Sequence, residues 1–346
     1  MIKVEQKIID AFKKGEQTHL ILGDDTYNNK DILKLTSNNE ELDSEITSKN
    51  IFNNLDDCFQ IIPYELFGFN SLEEAQAYYK NYHKICAYRL KVDVDNVSKI
   101  LANNELVEML DINKLQQNNI GHSSSQVFEV ELKNSKKAIL KIQTLASRNN
   151  LDEEYARIAW LENKVNVPKV YYYKKIDNTR YLLMEKLEGI PAYKMDDFAY
   201  LIGKTLKEIH KIDSTNCPFK QNSISTLYKN ALNNIDLIVP SVQEDYPNMT
   251  KEDILEFLKK YKPKDKVIVH GDYSLPNILI DNNKVNLIDL GDVSISSKYF
   301  DLFYVRKSFI RNKKMAYFND FMKGYGIRKI NENYMKWISI VDKALF

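Results

Sequence analysis

The chain has 346 residues, of which 44% are hydrophobic and 28% are charged, and its formal net charge at pH 7 is +1. A chain of this length can form two or three hydrophobic cores, and the near-neutral charge excludes a general attraction to nucleic acid. The three cysteines, Cys58, Cys86 and Cys217, are odd in number and widely spaced, which indicates neither a disulfide framework nor a metal site. Without a signal peptide or a long apolar span, the sequence predicts a cytoplasmic protein that does not enter a membrane.

Residues 1–98 are predicted to form a separate domain, with a helix near residues 3–14 and several short strands. A second helix is predicted over 72–82, and a strand over 86–92 closes the unit. The order of these elements, with Gly15-Glu16-Gln17-Thr18 early in the segment, resembles the ASCH domain. The resemblance implies a small α+β domain built on a β-barrel and related to the RNA-binding PUA domains.

The function of this domain is left open by its sequence. The segment Phe67–Ala75 adds to the likeness, but the basic residue that the ASCH family usually has near Gln17 is absent. Tyr78, Tyr79 and Tyr82 can stack on nucleic-acid bases, or they can form part of a core because they recur at helical spacing. RNA binding is therefore one alternative for this domain.

A helical linker is predicted over 99–116, and a helix that spans Asp95 to Leu110 is predicted to join the two parts of the chain. Beyond it, Ser123, Ser124 and Ser125 form a small polar turn between two strands. Such a turn can bring backbone N–H groups close to phosphate oxygens, or it can be an ordinary turn. The three serines are therefore candidates for a phosphate-binding loop.

The next two elements carry a candidate ion pair. The predicted strand 136–142 has one cation, Lys141, inside an apolar run. The following helix, 151–161, has an apolar stripe, and Glu154 lies within it. An acid on an apolar helix face needs a cationic partner, which Lys141 can supply. The alternative is that Lys141 is a solvated strand residue.

A strand, an amphipathic helix and two acidic segments are predicted between residues 180 and 258. Residues 180–192 form a predicted strand that ends in a Gly/Pro break. An amphipathic helix follows over 198–209, and His210 is assigned as its C-terminal residue rather than as a catalyst. Two acidic segments come next, 243–247 and the helix 251–258, and acidic segments attract polycationic ligands.

The most informative run is His270-Gly271-Asp272, which is followed by Asn277 and then, twelve residues later, by Asp289. A buried strand precedes the run, and Asn277 and Asp289 flank a predicted hairpin, which places both at one end of it. Phosphoryl transfer uses such a set, because one Asp orients or deprotonates the attacking hydroxyl while an Asn and a second Asp bind Mg²⁺. The run therefore predicts an enzyme that transfers a phosphoryl group from a nucleotide.

From residue 117 onwards these motifs resemble, in order, those of the aminoglycoside phosphotransferases, particularly the 3'-phosphotransferase branch. The resemblance implies a bilobal protein-kinase-like fold of the α+β class, with a β-rich N-lobe at 117–187 and a helical C-lobe at 188–346. It implies Asp272 as the catalytic base, and Asn277 and Asp289 as Mg²⁺ ligands. No Arg lies between His270 and Asp272, and the short interval from Asp289 to Asp301 leaves no room for an activation loop, which favours a small-molecule kinase over a protein kinase.

The resemblance also implies how the nucleotide is held. The serine turn looks like the family's nucleotide-positioning loop, and Glu154 is the acid that pairs with the strand lysine. Met184 would lie behind the adenine ring, and backbone groups from Glu185 to Leu187 would hydrogen-bond to that ring. Asp301 resembles the acid that braces the catalytic loop. The nucleotide is expected to be ATP, with GTP as an alternative.

The acceptor is expected to be a polycationic antibiotic. Glu244 and Asp245 resemble the acid-bearing loop that contacts drug amines in the family. The terminal Phe346 matches as well, and Asp342 lies one position away from the two adjacent acids that precede it in the 3'-phosphotransferases. Lys343 stands in that stretch instead, and a lysine beside drug ammonium groups opposes binding, so the specificity is expected to be shifted or narrowed.

The sequence as a whole predicts an ATP- and Mg²⁺-dependent kinase that phosphorylates an aminoglycoside hydroxyl. One alternative is a kinase for another small molecule, such as a macrolide, a nucleoside or a metabolite, which would share every nucleotide-binding residue. A second alternative is an RNA-binding regulatory protein, in which the N-terminal domain carries the function and the kinase is appended to it.

Overall fold

The computed structural model describes residues 2–14, 17–37, 40–91, 96–118, 125–143, 150–177 and 179–345. The chain divides into two compact units, the first made of Met1–Leu151 and Tyr172–Leu183, and the second of Asp152–Tyr171 and Met184–Phe346. Among the described residues, none of the helices combines the length and the apolar character needed to cross a membrane.

The N-terminal part of the first unit is a five-stranded sheet with helices packed against it. Its elements are β1 (Ile2–Lys3), α1 (Gln6–Lys14), β2 (His19–Leu22), β3 (Ile32–Thr36), β4 (Glu41–Phe52), α2 (Leu55–Ile61), α3 (Leu72–Tyr79) and β5 (Ile85–Lys91). The strand order is β1-β3-β4-β5-β2, with β1 parallel to β3 and the other pairs antiparallel. The two helices predicted for this domain correspond to α1 and α3.

Both faces of this sheet are covered by helices. Tyr88 of β5 packs with Phe12 of α1 in one core, whereas its neighbour Ala87 packs with Cys58 of α2 and Tyr79 of α3 in a second core. Within the described residues the sheet is therefore an open layer with β1 and β2 at its edges, and the closed barrel implied by the ASCH resemblance is not formed. Tyr79 is 1% exposed, so it belongs to the core and does not present its ring to a base.

The predicted linker helix is instead two short helices, α4 (Asn96–Leu101) and α5 (Asn104–Met109). Asn103 restarts the helix, because its side-chain oxygen accepts a hydrogen bond from the Leu106 N–H at 3.4 Å. The same side chain donates to the Tyr172 hydroxyl at 3.2 Å. The Asn103 side chain therefore begins α5 and also links the linker to Tyr172 through a hydrogen bond.

The elements that follow the linker are β6 (Gln116–Asn118), β7 (Gln126–Glu131), β8 (Lys137–Gln143), α6 (Leu151–Leu161), β9 (Val170–Ile176) and β10 (Thr179–Glu185). The strands form a five-stranded sheet in the order β6-β7-β8-β10-β9. The strand predicted for Lys141 and the helix predicted for Glu154 are confirmed as β8 and α6. This segment is therefore mainly β-strand, with α6 as its one long helix among the described residues.

The rest of the chain is mainly helical. Its elements are β11 (Ile190–Pro191), α7 (Ala199–His210), α8 (Ile224–Asn233), α9 (Ile235–Asp245), α10 (Lys251–Lys260), β12 (Val267–Val269), β13 (Ile278–Asp281), β14 (Lys284–Leu287), β15 (Ser294–Ser296), α11 (Lys298–Arg311), α12 (Phe318–Tyr325) and α13 (Glu332–Asp342). Trp337 of α13 is fully buried, and its indole Nε1 donates to the Leu258 carbonyl of α10 at 2.9 Å. The helix α7 supports the loop after β12, because the Tyr273 hydroxyl donates to the Ile202 carbonyl at 2.8 Å.

Candidate active site

The predicted catalytic loop begins where β12 ends at Val269. Gly271 in this loop has a φ of +90°, and a Cβ atom at its position would lie 2.3 Å from the Asp292 carbonyl oxygen. Glycine is required here because another residue would be strained at this φ and would collide with the backbone of Asp292. The loop and the segment around Asp292 are therefore in direct contact.

The Asp301 carboxylate of α11 binds the backbone of the same loop. It accepts hydrogen bonds from the His270 N–H at 2.8 Å and from the Gly271 N–H at 2.9 Å. His210, the last residue of α7, donates to this carboxylate from Nε2 at 3.1 Å, and its Nδ1 lies 2.7 Å from the Tyr325 hydroxyl. Asp301 is fully buried, so these hydrogen bonds compensate the desolvation of its charge. The bracing role predicted for Asp301 is confirmed, whereas sequence reasoning misses the contact of His210, which joins residues 91 positions apart.

Asp272 is oriented by the amide of Asn277. The Asn277 Nδ2 donates to the Asp272 Oδ2 at 2.8 Å and to the Asp272 carbonyl oxygen at 3.2 Å. Burial raises the pKa of the Asp272 carboxyl; His270 opposes the shift, and the negative charges of Asp289 and Asp292 add to it. The carboxylate is thus fixed in direction and lies in partly desolvated, negatively charged surroundings, which favour the uptake of a proton.

The hairpin brings Asn277 and Asp289 to one end, as predicted. The strands β13 and β14 pair antiparallel along their length, and the Ile288 N–H donates to the Asn277 carbonyl oxygen at 3.1 Å. Asp289 is exposed and has a φ of +59°, a conformation that is uncommon for a residue other than glycine and that is concentrated at functional sites. Both residues can therefore act on the same ligand.

The donors at this end of the hairpin fit Mg²⁺. Asn277 presents an amide oxygen, because its nitrogen is bound to Asp272, and Asp289 presents an exposed carboxylate. In the part of the chain that the structure describes, no group of three or more His, Cys, Asp or Glu side chains could hold a metal ion. Mg²⁺ does not need such a group, because it is usually bound by one or two protein oxygens together with water and substrate phosphates.

Two further side chains hold the segment that follows Asp289. Arg157 of α6 is 1% exposed, and its Nε donates to the Val293 carbonyl at 2.8 Å. The Asn222 Nδ2 donates to the Asp292 carbonyl at 3.0 Å. Sequence reasoning assigns neither role, because the contacts join residues 136 and 70 positions apart.

Residues 114–337 match the model of a family described as the phosphotransferase enzyme family. The chain belongs to this family. It is also 31% identical, over 257 residues, to the aminoglycoside 3'-phosphotransferase of Niallia circulans, and the match covers 69% of this chain and 95% of that protein. The chain is thus a phosphotransferase, and the reaction class predicted from the His270–Asp289 run is confirmed.

Solved structures share the fold of this phosphotransferase. An aminoglycoside phosphotransferase from Streptomyces rimosus, in complex with ADP and streptomycin, superposes with a TM-score of 0.55 at 18% identity, over 72% of this chain and 99% of that one. A macrolide 2'-phosphotransferase from Brachybacterium faecium superposes with a TM-score of 0.52 at 15% identity, over 70% of this chain and 87% of that one. The kinase-like fold is common to both enzymes, so it does not by itself select the acceptor.

The predicted phosphate-binding residues of the phosphotransferase lie in both units. Lys141 of β8 is 9% exposed, and Glu154 is 5% exposed on the apolar face of α6. Ser125 is 9% exposed at the start of β7, while Ser123 and Ser124 lie outside the described residues. The pairing of Lys141 with Glu154 stays a prediction.

The strand β10 ends at Glu185, where the hinge is predicted. Met184 is 5% exposed, and the Glu185 N–H donates to the Lys169 carbonyl at 2.8 Å. This N–H is therefore committed to the protein backbone. The adenine contacts of the backbone from Glu185 to Leu187 stay a prediction, and they would have to use groups other than the Glu185 N–H.

The first pair of predicted acceptor residues lies on a helix. Glu244 and Asp245 form the last turn of α9, and not the loop that the family resemblance implies. The Asp245 Oδ2 lies 2.9 Å from the Lys343 Nζ. One of the two acids is therefore already paired with a cation of the same chain.

Two acceptor residues, Asp342 and Phe346, are predicted at the C-terminus, and the structure describes the first of them. Asp342 ends α13 and is 4% exposed. Its carboxylate accepts a hydrogen bond from the Tyr304 hydroxyl and lies 3.5 Å from the Lys307 Nζ. A substrate amine would have to displace one of these partners to reach Asp342. Phe346 lies outside the described residues.

The close approach at Gly271 gives a test of the loop. Gly271→Ala is expected to lower the free energy of unfolding by at least about 2 kcal/mol, because the new Cβ combines strain at positive φ with a collision against Asp292. Chemical denaturation measures this change. Gly23→Ala is the matched control, since its Cβ would meet only the Tyr82 side chain at 3.4 Å. Equal stability of the two variants would show that the loop does not need glycine.

Proposed function

We propose that this phosphotransferase transfers the γ-phosphoryl group of ATP to a hydroxyl group of an aminoglycoside antibiotic. The observation that carries the proposal is the hydrogen-bonded pair of Asp272 and Asn277 at one strand of a hairpin whose other strand leads to Asp289. The name of the Niallia circulans relative supports the aminoglycoside acceptor and the 3'-hydroxyl. The ADP bound to the Streptomyces rimosus enzyme supports ATP as the donor, and nothing favours GTP.

In this proposal Asp272 orients the acceptor hydroxyl and takes up its proton as the oxygen attacks the γ-phosphorus. A new O–P bond forms, the bond between the γ-phosphorus and the β–γ bridging oxygen breaks, and ADP leaves with that electron pair. Lys141 binds the α- and β-phosphates, and Glu154 holds Lys141 in place. Asn277 and Asp289 would bind Mg²⁺, which supplies positive charge against the phosphate oxygens when it is bound.

The domain boundaries follow from the same proposal. We assign 1–98 to an accessory domain, 99–116 to a linker, 117–187 to the kinase N-lobe and 188–346 to the C-lobe. The start of the family match at residue 114 supports the boundary between linker and kinase. RNA binding is not proposed, because Gln17 and Tyr79 are only 3% and 1% exposed.

A substrate panel tests the function. The full chain is incubated with ATP, Mg²⁺ and single compounds from the aminoglycoside and macrolide classes, ADP release is followed, and products are identified by their gain of one phosphoryl group. Turnover of aminoglycosides alone is the expected result. Turnover of a macrolide without any aminoglycoside would replace this proposal by the alternative of another small-molecule kinase.

The metal role of Asp289 has its own test. Asp289→Asn is expected to raise the Mg²⁺ concentration for half-maximal activity by at least about tenfold, a loss that is seen even for residues that only support a metal ligand. The reason is that a neutral amide is a weaker ligand than a carboxylate for a hard cation. A Mg²⁺ titration at saturating ATP measures it, with Asp281→Asn at the opposite end of the hairpin as the control. An unchanged Mg²⁺ requirement would remove Asp289 from the metal site.

A further inference from the structure

Two carboxylates near the C-terminal helix are already paired with lysines of the same chain. Asp245 of α9 lies 2.9 Å from Lys343, and these side chains are 48% and 25% exposed. Asp342 lies 3.5 Å from Lys307, and its side chain is 5% exposed. Asp245 is the more accessible of the two carboxylates, so a cationic ligand from solution can compete for it.

Tyr304 links this region to the catalytic carboxylates. Its hydroxyl donates to Asp342, which is the residue before Lys343. Burial raises the pKa of Tyr304 well above its usual range, and the charges of Asp342, Asp292 and Asp272 add to this effect. Tyr304 therefore lies close enough to Asp272 and Asp292 for their charges to act on it, and its hydrogen bond joins it to Asp342, the last residue of α13.

The geometry points to Lys343 as a residue that determines acceptor specificity. By pairing with Asp245, Lys343 lowers the affinity of the enzyme for polycationic aminoglycosides. The enzyme therefore favours acceptors that carry few ammonium groups on the part of the molecule bound next to α13. This inference rests on the proposed function, since it concerns the acceptor of that reaction.

The physical reason is competition between two cations for one carboxylate. An ammonium group of a substrate that approaches a free Asp245 gains an ion pair. When Lys343 already occupies Asp245, the substrate must displace it, and the displaced lysine then repels the other ammonium groups of the substrate. Because both side chains are partly exposed, solvent screens the interaction and the effect is modest.

Calorimetric titration of the full chain with neomycin, a polycationic aminoglycoside, measures the effect without requiring turnover. Lys343→Met is expected to bind neomycin about fivefold more tightly than the wild type, which is the upper range for an exposed ion pair. Lys343→Arg keeps the charge and should stay within about twofold of the wild type. Lys323→Met removes the same charge from an exposed ion pair on α12 and is the matched control.

The double variant Lys343→Met with Asp245→Asn separates the ion pair from a general charge effect. It removes both charges, so its affinity for neomycin should return to about the wild-type value, although it has lost a lysine. An unchanged affinity in Lys343→Met, an equal gain in Lys323→Met, or a gain that persists in the double variant would overturn the inference. Lack of turnover by the wild type on every aminoglycoside would overturn the proposed function instead, because the affinities are measured independently.

Discussion

Asp272→Asn is expected to lower the rate of phosphoryl transfer by roughly 10²- to 10⁴-fold, which is the usual contribution of a general base. The amide has nearly the same shape as the carboxylate, and its oxygen can still accept the hydrogen bond that Asn277 donates at 2.8 Å. It cannot take up the proton of the acceptor hydroxyl. The loss should therefore fall on kcat, with the affinity for ATP within about threefold of the wild type.

The measurement combines ADP release at saturating substrates with calorimetric binding of ATP. Asp281→Asn is the matched control, because it makes the same chemical change at the turn of the hairpin, where the Asp281 carboxylate accepts a hydrogen bond from the neighbouring Asn282 side chain at 3.0 Å. The control should keep wild-type turnover. If Asp272→Asn retained more than about a tenth of the wild-type kcat, a group other than Asp272 would accept the proton.

Asp301→Ala is expected to lower the free energy of unfolding by about 3 kcal/mol, the largest stability effect that we predict for a single substitution. The carboxylate accepts from two backbone N–H groups of the catalytic loop and from His210. Its removal leaves these donors buried without an acceptor, and the penalty for each is larger than the net gain of an ordinary hydrogen bond.

Urea denaturation measures this loss, and ADP release measures its consequence for catalysis. Asp320→Ala is the control, because Asp320 pairs with Lys323 on the exposed face of α12 and should contribute less than about 1 kcal/mol. His210→Ala, which removes one donor to Asp301, should fall between the two in stability. A stability of Asp301→Ala equal to that of the control would mean that the loop is held by other contacts.

The candidate catalytic set was accessible to sequence reasoning because its members are close along the chain. Asp272, Asn277 and Asp289 lie on one loop and one hairpin, so strand periodicity and the turn at residues 282–283 are enough to bring them together. The helix of Glu154 and the strand of Lys141 were likewise predictable from hydrophobic periodicity. The linker was less predictable, because a single buried Asn103 at the start of α5 interrupts a pattern that reads as one helix.

The N-terminal sheet shows a second limit of local patterns. Alternating apolar residues predict strands, but they do not tell whether the sheet closes into a barrel. Here helices cover both faces of β5, so the sheet remains an open layer. Local patterns also failed at the acid-bearing segment 243–247, which was predicted as a loop. Residues 243–245 are the last residues of the helix α9, and only residues 246 and 247 follow the helix.

Spacing within consecutive elements was enough to predict the reaction class, the candidate catalytic loop and the two candidate metal ligands. Spacing could not predict which side chains support that loop or which acids are already paired, because these depend on packing. Asp301 meets His210, and Asp245 meets Lys343, through packing between helices that are far apart in the chain. Hydrophobic patterns specify which face of a helix is buried, but not which polar residue it meets there. The resemblance indicated an acidic acceptor site in which Lys343 stands where the family has acids. The structure shows that Lys343 is paired with one of the predicted acids, Asp245.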